Sequence, residues 1–141
     1  MDNLANPIAG HKWAADPVTD NMGIRRQNAA DGGVLTTLET TGEHCNVFGV
    51  VHGAVLYAMA DVAMGSLLTN ALDEFRPVST VSIVANYLRP TKPGQLKAET
   101  ELIRLGRSIA TLEAKISDAD GVVSALFLGT FHISPAEGMA S

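Results

Sequence analysis

The sequence has few cysteines, few aromatic residues and little positive charge. Its 141 residues contain one cysteine, Cys45, 5% aromatic residues, and ten Lys and Arg against fifteen Asp and Glu. One cysteine excludes an intrachain disulfide and suits a reducing cytoplasm. The net charge of -5 argues against general nucleic-acid binding. The longest apolar runs are interrupted by charges or breakers, and no basic region precedes an apolar core at the N-terminus, so we expect neither a membrane span nor a signal peptide.

The sequence also lacks the short motifs of several enzyme classes. It contains no G-x-G-x-x-G, no P-loop and no G-x-S-x-G, which argues against a bound dinucleotide, a phosphate-binding loop and a serine nucleophile. The histidines show no metal-ligand spacing. They are His11, His44, His52 and His132. We therefore expect neither a metal ion nor a cofactor.

What the chain does have is one long apolar stretch, HGAVLYAMADVAMGSLLTN, from His52 to Asn70. Its apolar residues recur at helical spacing and occupy more than one face, which predicts a helix wrapped by other structure. Asp61 is the only charge between Gly53 and Thr69. A carboxylate near the middle of such a helix is costly unless it is paired or hydrogen-bonded. The alternative interpretation is a surface Asp on the edge of the helix.

The rest of the chain reads mainly as strands, which predicts a single α+β domain. After the helix the apolar period changes to two, and turn signals separate four segments. A curved antiparallel sheet would hide the apolar faces of the helix. We expect a loose N-terminal segment over 1–33 with one short helix, a domain core over 34–133 and a short tail over 134–141. The predicted strands are Val34–Thr40, Val78–Leu88, Gln95–Leu105, Ser108–Ser117 and Val122–Ile133.

The loop before the helix carries a recognisable pattern, NVFGVVHGA, from Asn46 to Ala54. Together with Asp61 eight residues after Gly53, it resembles N-x-x-G-x-x-H-G-G of the hotdog-fold acyl-CoA thioesterases. The phenylacetate-pathway, PaaI-like group is the most similar, and the resemblance covers about residues 34–133. The last glycine of the pattern is Ala54 here, a mild departure because alanine suits the start of a helix.

The resemblance implies a hotdog fold and hydrolysis of an acyl-CoA thioester. Asp61 would act as general base or as nucleophile, and these two roles stay open. The backbone N–H of Gly53, at the positive end of the helix, would donate to the oxyanion. The remaining catalytic candidates are Asn46, His52 and Ser79. Each has a structural alternative: a turn former, a loop-holding residue and an ordinary strand serine.

Helix geometry gives a separate expectation about assembly. Gly53 and Asp61 are separated by about 12 Å of rise and roughly 80° of rotation. A reacting carbonyl must lie about 3 Å from both the oxyanion donor and the attacking group. Two antiparallel copies can satisfy this if Gly53 of one chain faces Asp61 of the other. We therefore expect a homodimer as the minimal unit. The resemblance to the hotdog enzymes implies a dimer of dimers as the larger assembly.

Half of the positive charge lies within residues 89–107. Coenzyme A is rich in phosphate, and a chain of net negative charge must meet it with local positive charge. The resemblance places the nucleotide at two predicted turns, although each arginine there is equally a solvated strand end. The predicted substrate and CoA contacts are Ser79, Asn86, Tyr87, Leu88, Arg89, Pro90, Thr91, Arg104, Gly106, Arg107 and Ser108.

Two other readings compete with a cytoplasmic thioesterase. One is a hotdog dehydratase or hydratase acting on an acyl thioester, which fits the Asn46–His52–Gly53 run less well. The other is a non-catalytic acyl-CoA binding module, against which the retained Asp61 argues. The sequence does not identify the acyl group.

Overall fold

Six strands, a short helix and a long helix account for the regular structure of residues 16–136, the part of the chain that the computed structural model describes. The first 15 residues and most of the predicted tail, 137–141, lie outside the described part. In chain order the elements are α1 Pro17–Met22, β1 Arg25–Asn28, β2 Val34–Glu39, a 3-10 turn Gly42–His44, α2 Gly53–Ala71, β3 Val78–Tyr87, β4 Gln95–Leu105, β5 Ile109–Ser117 and β6 Val123–Ile133.

The strands form one antiparallel sheet in the order β1-β2-β4-β5-β6-β3. Helix α2 packs along five of these strands and is hydrogen-bonded through side chains to the sixth, β1. One helix can touch every strand only if the sheet curves around it. The α+β class and the sheet wrapped around one long helix are therefore confirmed.

The five predicted strands are found, with bounds that differ by one residue at most. The prediction for residues 1–33 was incomplete. Its short helix exists as α1, where the Asp16 side chain accepts from the Thr19 N–H, but β1 was missed. Strand β1 reads RRQN and has no apolar alternation, so nothing in its local sequence indicates a strand.

The core lies between α2 and the inner face of the sheet. Seven residues of the helix are buried, including Met59, Met64 and Leu68, each 0% exposed. Each fully buried side chain of this size contributes roughly 1.5–3 kcal/mol. At Gly129 on β6 a Cβ would lie 2.9 Å from the Met64 sulfur and from the Phe131 ring, so a larger residue would have to displace these side chains. By length and composition α2 also passes for a membrane span, but these contacts make it the core helix of a folded domain.

The two edges of the sheet differ. Edge strand β1 has four residues and is tied to α2 by the Arg26 guanidinium, which donates to the Ser66 hydroxyl at 3.2 Å, and by an Asn70 to Asn28 bond of 3.0 Å. Edge strand β3 has ten residues, most of them exposed, with a bulge between Thr80 and Ser82. We call these the β1 edge and the β3 edge.

Candidate active site

Asp61 lies half-buried on α2 and is hydrogen-bonded to the neighbouring strand. The Thr80 hydroxyl donates to its Oδ1 at 2.6 Å. Among residues 16–136 no other side chain or backbone group donates to Asp61. One carboxylate oxygen is therefore held, and the other is left to take a proton from water or to attack a carbonyl.

The hydroxyl at Asp61 belongs to Thr80 and not to the predicted Ser79. Thr80 lies opposite the buried Phe131 on β6, whereas Ser79 lies opposite the exposed His132. Successive residues of a strand face opposite sides of the sheet. Ser79 therefore faces away from α2, and within one chain it does not meet Asp61.

Gly53 is the first residue of α2, and its N–H points out of the helix end. Within residues 16–136 nothing accepts from this N–H. Its carbonyl accepts from the Tyr87 hydroxyl at 2.9 Å, and a Cβ at this position would lie 3.3 Å from the Tyr87 Cζ. Partial burial is the main cause that raises the pKa of Tyr87 above its ordinary value of 10.0, and the electrostatic effect of the neighbouring Tyr57 is the second. The start of α2 thus offers a free donor beside a tyrosine.

His52 caps this helix end. Its Nδ1 accepts from the Ala54 N–H at 3.0 Å. A ring nitrogen that accepts carries no proton, so the neutral imidazole holds its proton on Nε2. His52 is exposed and its backbone N–H donates to the His44 carbonyl. These bonds give His52 a helix-capping role, with Nε2–H left as a donor.

Asn46 forms a turn in the loop before the helix. Its side-chain oxygen accepts from the Phe48 N–H at 2.9 Å, and Gly49 follows with a φ of 78°. This is the behaviour of an Asn that mimics a backbone turn. The turn leaves the side chain of Phe48 85% exposed. The structure therefore shows the turn-forming role of Asn46, and its side-chain NH₂ remains available as a donor.

The predicted CoA contacts fall into two groups at opposite ends of β3. Residues 86–91 surround its C-terminal end, where Arg89 is exposed. Arg107 lies in the β4–β5 turn, and its carbonyl accepts from Arg76 at 3.2 Å. Arg76 also donates to Ser134, whose N–H bonds Pro77 just before β3. Ten strand residues span on the order of 30 Å, so one chain cannot apply Arg89 and Arg107 to one phosphate group.

Most of the predicted CoA contacts are accessible, and one is not. Thr91 is 2% exposed and its carbonyl accepts from the Val51 N–H, so it supports the loop before α2 and does not face a ligand. Gly106 is half-buried against the Arg104 guanidinium, 3.1 Å from where a Cβ would lie. The exposed members are Ser79, Asn86, Tyr87, Leu88, Arg89, Pro90, Arg104, Arg107 and Ser108.

A cleft of about 230 Å³ lies at the other end of α2, away from the Gly53 end. It is lined by both acidic and basic side chains, and neither Asp61 nor Gly53 lines it. Its lining residues are Ala71, Leu72, Asp73, Glu74, Arg76, Leu105 and Gly106. Among residues 16–136, no group of three His, Cys, Asp or Glu is placed to hold a metal ion.

Comparison with known proteins agrees with this fold. The sequence profile of the thioesterase superfamily matches residues 48–125, more than half of the chain. The 1,4-dihydroxy-2-naphthoyl-CoA hydrolase of Listeria monocytogenes is 28% identical over 99 residues, covering 70% of this chain and 80% of that protein.

Solved structures give the same result. A variant of the phenylacetic acid degradation protein PaaI from Thermus thermophilus is 28% identical, with a TM-score of 0.74 and coverage of 83% of this chain and 98% of that one. A Bacillus halodurans protein solved with CoA shares the fold, with a TM-score of 0.81 at 21% identity over 90% of this chain and 83% of that one. The chain therefore belongs to the thioesterase superfamily, and it is a thioester hydrolase of the hotdog fold.

Proposed function

We propose that this thioester hydrolase acts on an acyl- or aryl-CoA, releasing the free acid and CoA. Two relatives support the CoA part of the substrate: the Listeria hydrolase, named for a CoA thioester, and the Bacillus halodurans protein, solved with CoA. The exposed arginines of this chain offer charge that suits phosphate. The enzyme works as one cytoplasmic domain without a metal or cofactor, since CoA is part of the substrate.

Asp61 carries the hydrolysis by one of two routes. As general base, it takes a proton from a water molecule whose oxygen attacks the thioester carbon. As nucleophile, its own oxygen attacks and forms a mixed anhydride, which water then hydrolyses to restore the carboxylate. In both routes the carbon–sulfur bond breaks, and the CoA thiolate leaves and gains a proton. The Thr80 bond to Oδ1 holds the carboxylate in place for either route.

The Gly53 N–H stabilises the negative charge that develops on the thioester oxygen. It lies at the positive end of the α2 dipole and has no acceptor within residues 16–136. A donor of this kind is already oriented when the charge appears, and removing one typically costs about 10² to 10³ in rate. His52 Nε2–H and the Asn46 NH₂ are further donors at the same end of the helix.

Each active site is built from two chains. The observation that carries this proposal is the arrangement along the β3 edge: Thr80 lies at Asp61, and Tyr87 lies at Gly53. The Leu88 N–H donates to Ser124 on β6. In an antiparallel ladder the alternation then directs the N–H groups of Ile83, Ala85 and Tyr87 away from β6, toward the open edge. These groups are available to pair with the same strand of a second copy.

Antiparallel pairing of two β3 edges about Ile83 or Val84 would bring the Tyr87 end of one chain beside residues 79–81 of the other. Gly53 of one chain would then face Asp61 of its partner. The same two-fold axis would bring Arg89 of one chain toward Arg107 of the other, which the 30 Å separation within one chain forbids. A dimer is the minimal active unit, and a dimer of dimers is the larger assembly.

The first experiment tests the chemistry. Asp61→Asn should lower thiol release from acyl-CoA by about 10² to 10⁴, because it removes the base or nucleophile while keeping the shape of the side chain. A panel of acyl-CoAs of different acyl groups, read by free-thiol release, would identify the substrate class at the same time. Near-normal turnover by the Asn variant would exclude Asp61 as the catalytic carboxylate.

The second experiment tests the shared site by mixing two inactive variants, Asp61→Asn and Gly53→Pro, the second of which deletes the N–H. A mixed dimer has one site with both groups intact and one with neither. Random reassortment makes about half of the dimers mixed, so roughly a quarter of the parent activity should return. The proline variant must first show the parent circular dichroism spectrum. Mixed dimers that stay inactive would place both residues in a site within one chain.

A further inference from the structure

The Gly53–Ala54 peptide group at the start of α2 is hydrogen-bonded on both sides. Its carbonyl oxygen accepts from the Tyr87 hydroxyl at 2.9 Å, and its N–H donates to the His52 Nδ1 at 3.0 Å. Hydrogen bonds on the two ends of one peptide group polarise each other and strengthen together. Tyr87 is thus coupled to the His52 ring through a single peptide plane, although the two side chains belong to different elements.

Tyr87 is held firmly enough for this task. Its ring meets the buried Phe127 ring edge to face, with 5.9 Å between centroids and an angle of 87°. On the other side its Cζ lies 3.3 Å from where a Gly53 Cβ would be. Tyr57, one turn along α2, packs on the same Phe127 ring at 6.2 Å. Among residues 16–136 the Tyr57 hydroxyl makes no hydrogen bond, so the two tyrosines differ in this one respect.

We propose that Tyr87 is a positioning residue whose hydroxyl fixes the first peptide group of α2, and with it the direction of the Gly53 N–H and the Nε2–H form of His52. This inference rests on the proposed function, in which that N–H stabilises the oxyanion. It assigns Tyr87 a role distinct from contact with the CoA nucleotide. The Gly53 carbonyl already takes the proton of this hydroxyl, so the hydroxyl does not also donate to the substrate.

The test compares Tyr87→Phe with the matched control Tyr57→Phe. Losing a hydrogen bond of this kind should lower kcat roughly three- to tenfold for Tyr87→Phe, equally with full acyl-CoA and with a short thioester that lacks the nucleotide. KM should change little. Tyr57→Phe removes a hydroxyl from the same ring cluster and should change kcat less than twofold. A rise in KM confined to full acyl-CoA, with kcat unchanged, would make Tyr87 a nucleotide contact and overturn the inference.

A second measurement does not depend on activity. In ¹⁵N-labelled dimer, the Ala54 amide should exchange with solvent several-fold faster in Tyr87→Phe than in the parent or in Tyr57→Phe. The His52 ring nitrogens should show a smaller share of the Nε2–H form. The Cβ of Gly53→Ala would displace the Tyr87 ring. This variant should therefore show the same changes at the Ala54 amide and the His52 ring as Tyr87→Phe.

The two measurements also separate the inference from the function on which it rests. If Asp61→Asn stays active while Tyr87→Phe alters the Ala54 amide and His52, the proposed chemistry fails and the positioning role stands. If Asp61→Asn is inactive and Tyr87→Phe leaves both signals unchanged, the proposed function stands and the positioning role is wrong.

Discussion

The two edge strands of the sheet differ in length and in exposure. The β1 edge is four residues long, and its Arg26 is only 4% exposed and bonded to Ser66 on the core helix. The β3 edge is ten residues long, and Val81 and Val84 are 60% and 59% exposed. Short strands and inward-pointing charges are the usual means by which a protein prevents further strand pairing. The β1 edge has both of these features, whereas long exposed apolar strands such as β3 invite another strand.

The candidate site lies at the edge that can be extended. Asp61 and Gly53 are both hydrogen-bonded to β3, through Thr80 and Tyr87, whereas the hydrogen bonds between α2 and β1 involve Ser66 and Asn70. A long exposed edge is an aggregation hazard unless another strand covers it. The candidate site and the expected pairing surface thus occupy one side of the molecule, so that disrupting pairing should also disrupt catalysis.

Placing a charge on the β3 edge should have the strongest consequences. Val84→Lys would bring two ammonium groups together across the two-fold axis, which should weaken the dimer roughly a hundredfold or more and abolish thiol release. Gln27→Lys on the β1 edge is the matched control and should leave both unchanged. Sedimentation velocity over a concentration series measures the dimer. A Val84→Lys protein that remains dimeric and active would show that the β3 edge is not the interface.

The next effect concerns the arginines at the two ends of the β3 edge. Arg89→Ala and Arg107→Ala should each raise KM for acyl-CoA roughly tenfold and leave kcat nearly unchanged, because each removes a charge-assisted contact remote from the reaction. A short thioester without the nucleotide should show neither change. Mixing the two variants should restore the parent KM at one site in each mixed dimer. Parent-like KM in both variants would place the phosphate contacts elsewhere.

A smaller effect is expected at the β1 edge. Ser66→Ala removes an acceptor from the buried Arg26 guanidinium and should lower the free energy of unfolding by about 1–3 kcal/mol. Asn70→Ala removes a more exposed link between the same elements and should cost less. Urea unfolding measures both. Neither change should alter kcat or the dimer. Loss of the dimer in Ser66→Ala would contradict the view that pairing depends on the β3 edge and not on the β1 edge.

The smallest effect is a titration at the end of the β3 edge. Because the folded protein raises the pKa of Tyr87, the neutral phenol is favoured by folding, and its contribution to stability is present below pH 10 and lost as pH rises through the folded pKa. The chain has two tyrosines, so absorbance of Tyr57→Phe at alkaline pH reports Tyr87 alone. Its midpoint should lie above the ordinary value. A midpoint at or below 10.0 would contradict this assignment.

Much of the fold can be predicted from the sequence, because most of its elements carry an apolar pattern that continues over many residues. Helix α2 and strands β2 to β6 carry sustained apolar patterns, and turn residues separate them. The β1 edge carries no such pattern. Arg26 is buried because a helix residue forty positions away supplies a hydroxyl, and local sequence does not contain that information.

The site was predictable in part. Asp61 stands out as the only charge in the apolar helix, and Gly53 stands out because it lies at the start of that helix. The resemblance points to both residues as candidates for the site. The resemblance points to Ser79, whereas strand alternation favours Thr80, because Thr80 shares the parity of the inward-facing Val78. The bulge between Thr80 and Ser82 reverses that parity further along β3, so the inward direction of Tyr87 and its bond to Gly53 needed the structure.

The place of β3 in the sheet has a consequence for how the enzyme forms. Within the described residues β3 is paired with β6 alone, although β6 follows it by more than thirty residues. Pairings so distant in sequence form late, because the intervening chain must first be ordered. A chain emerging from the ribosome completes its N-terminal parts first. Thr80 and Tyr87 therefore reach Asp61 and Gly53 only after β6 is made. All six strands must be synthesised before the growing polypeptide can bind or cleave a substrate.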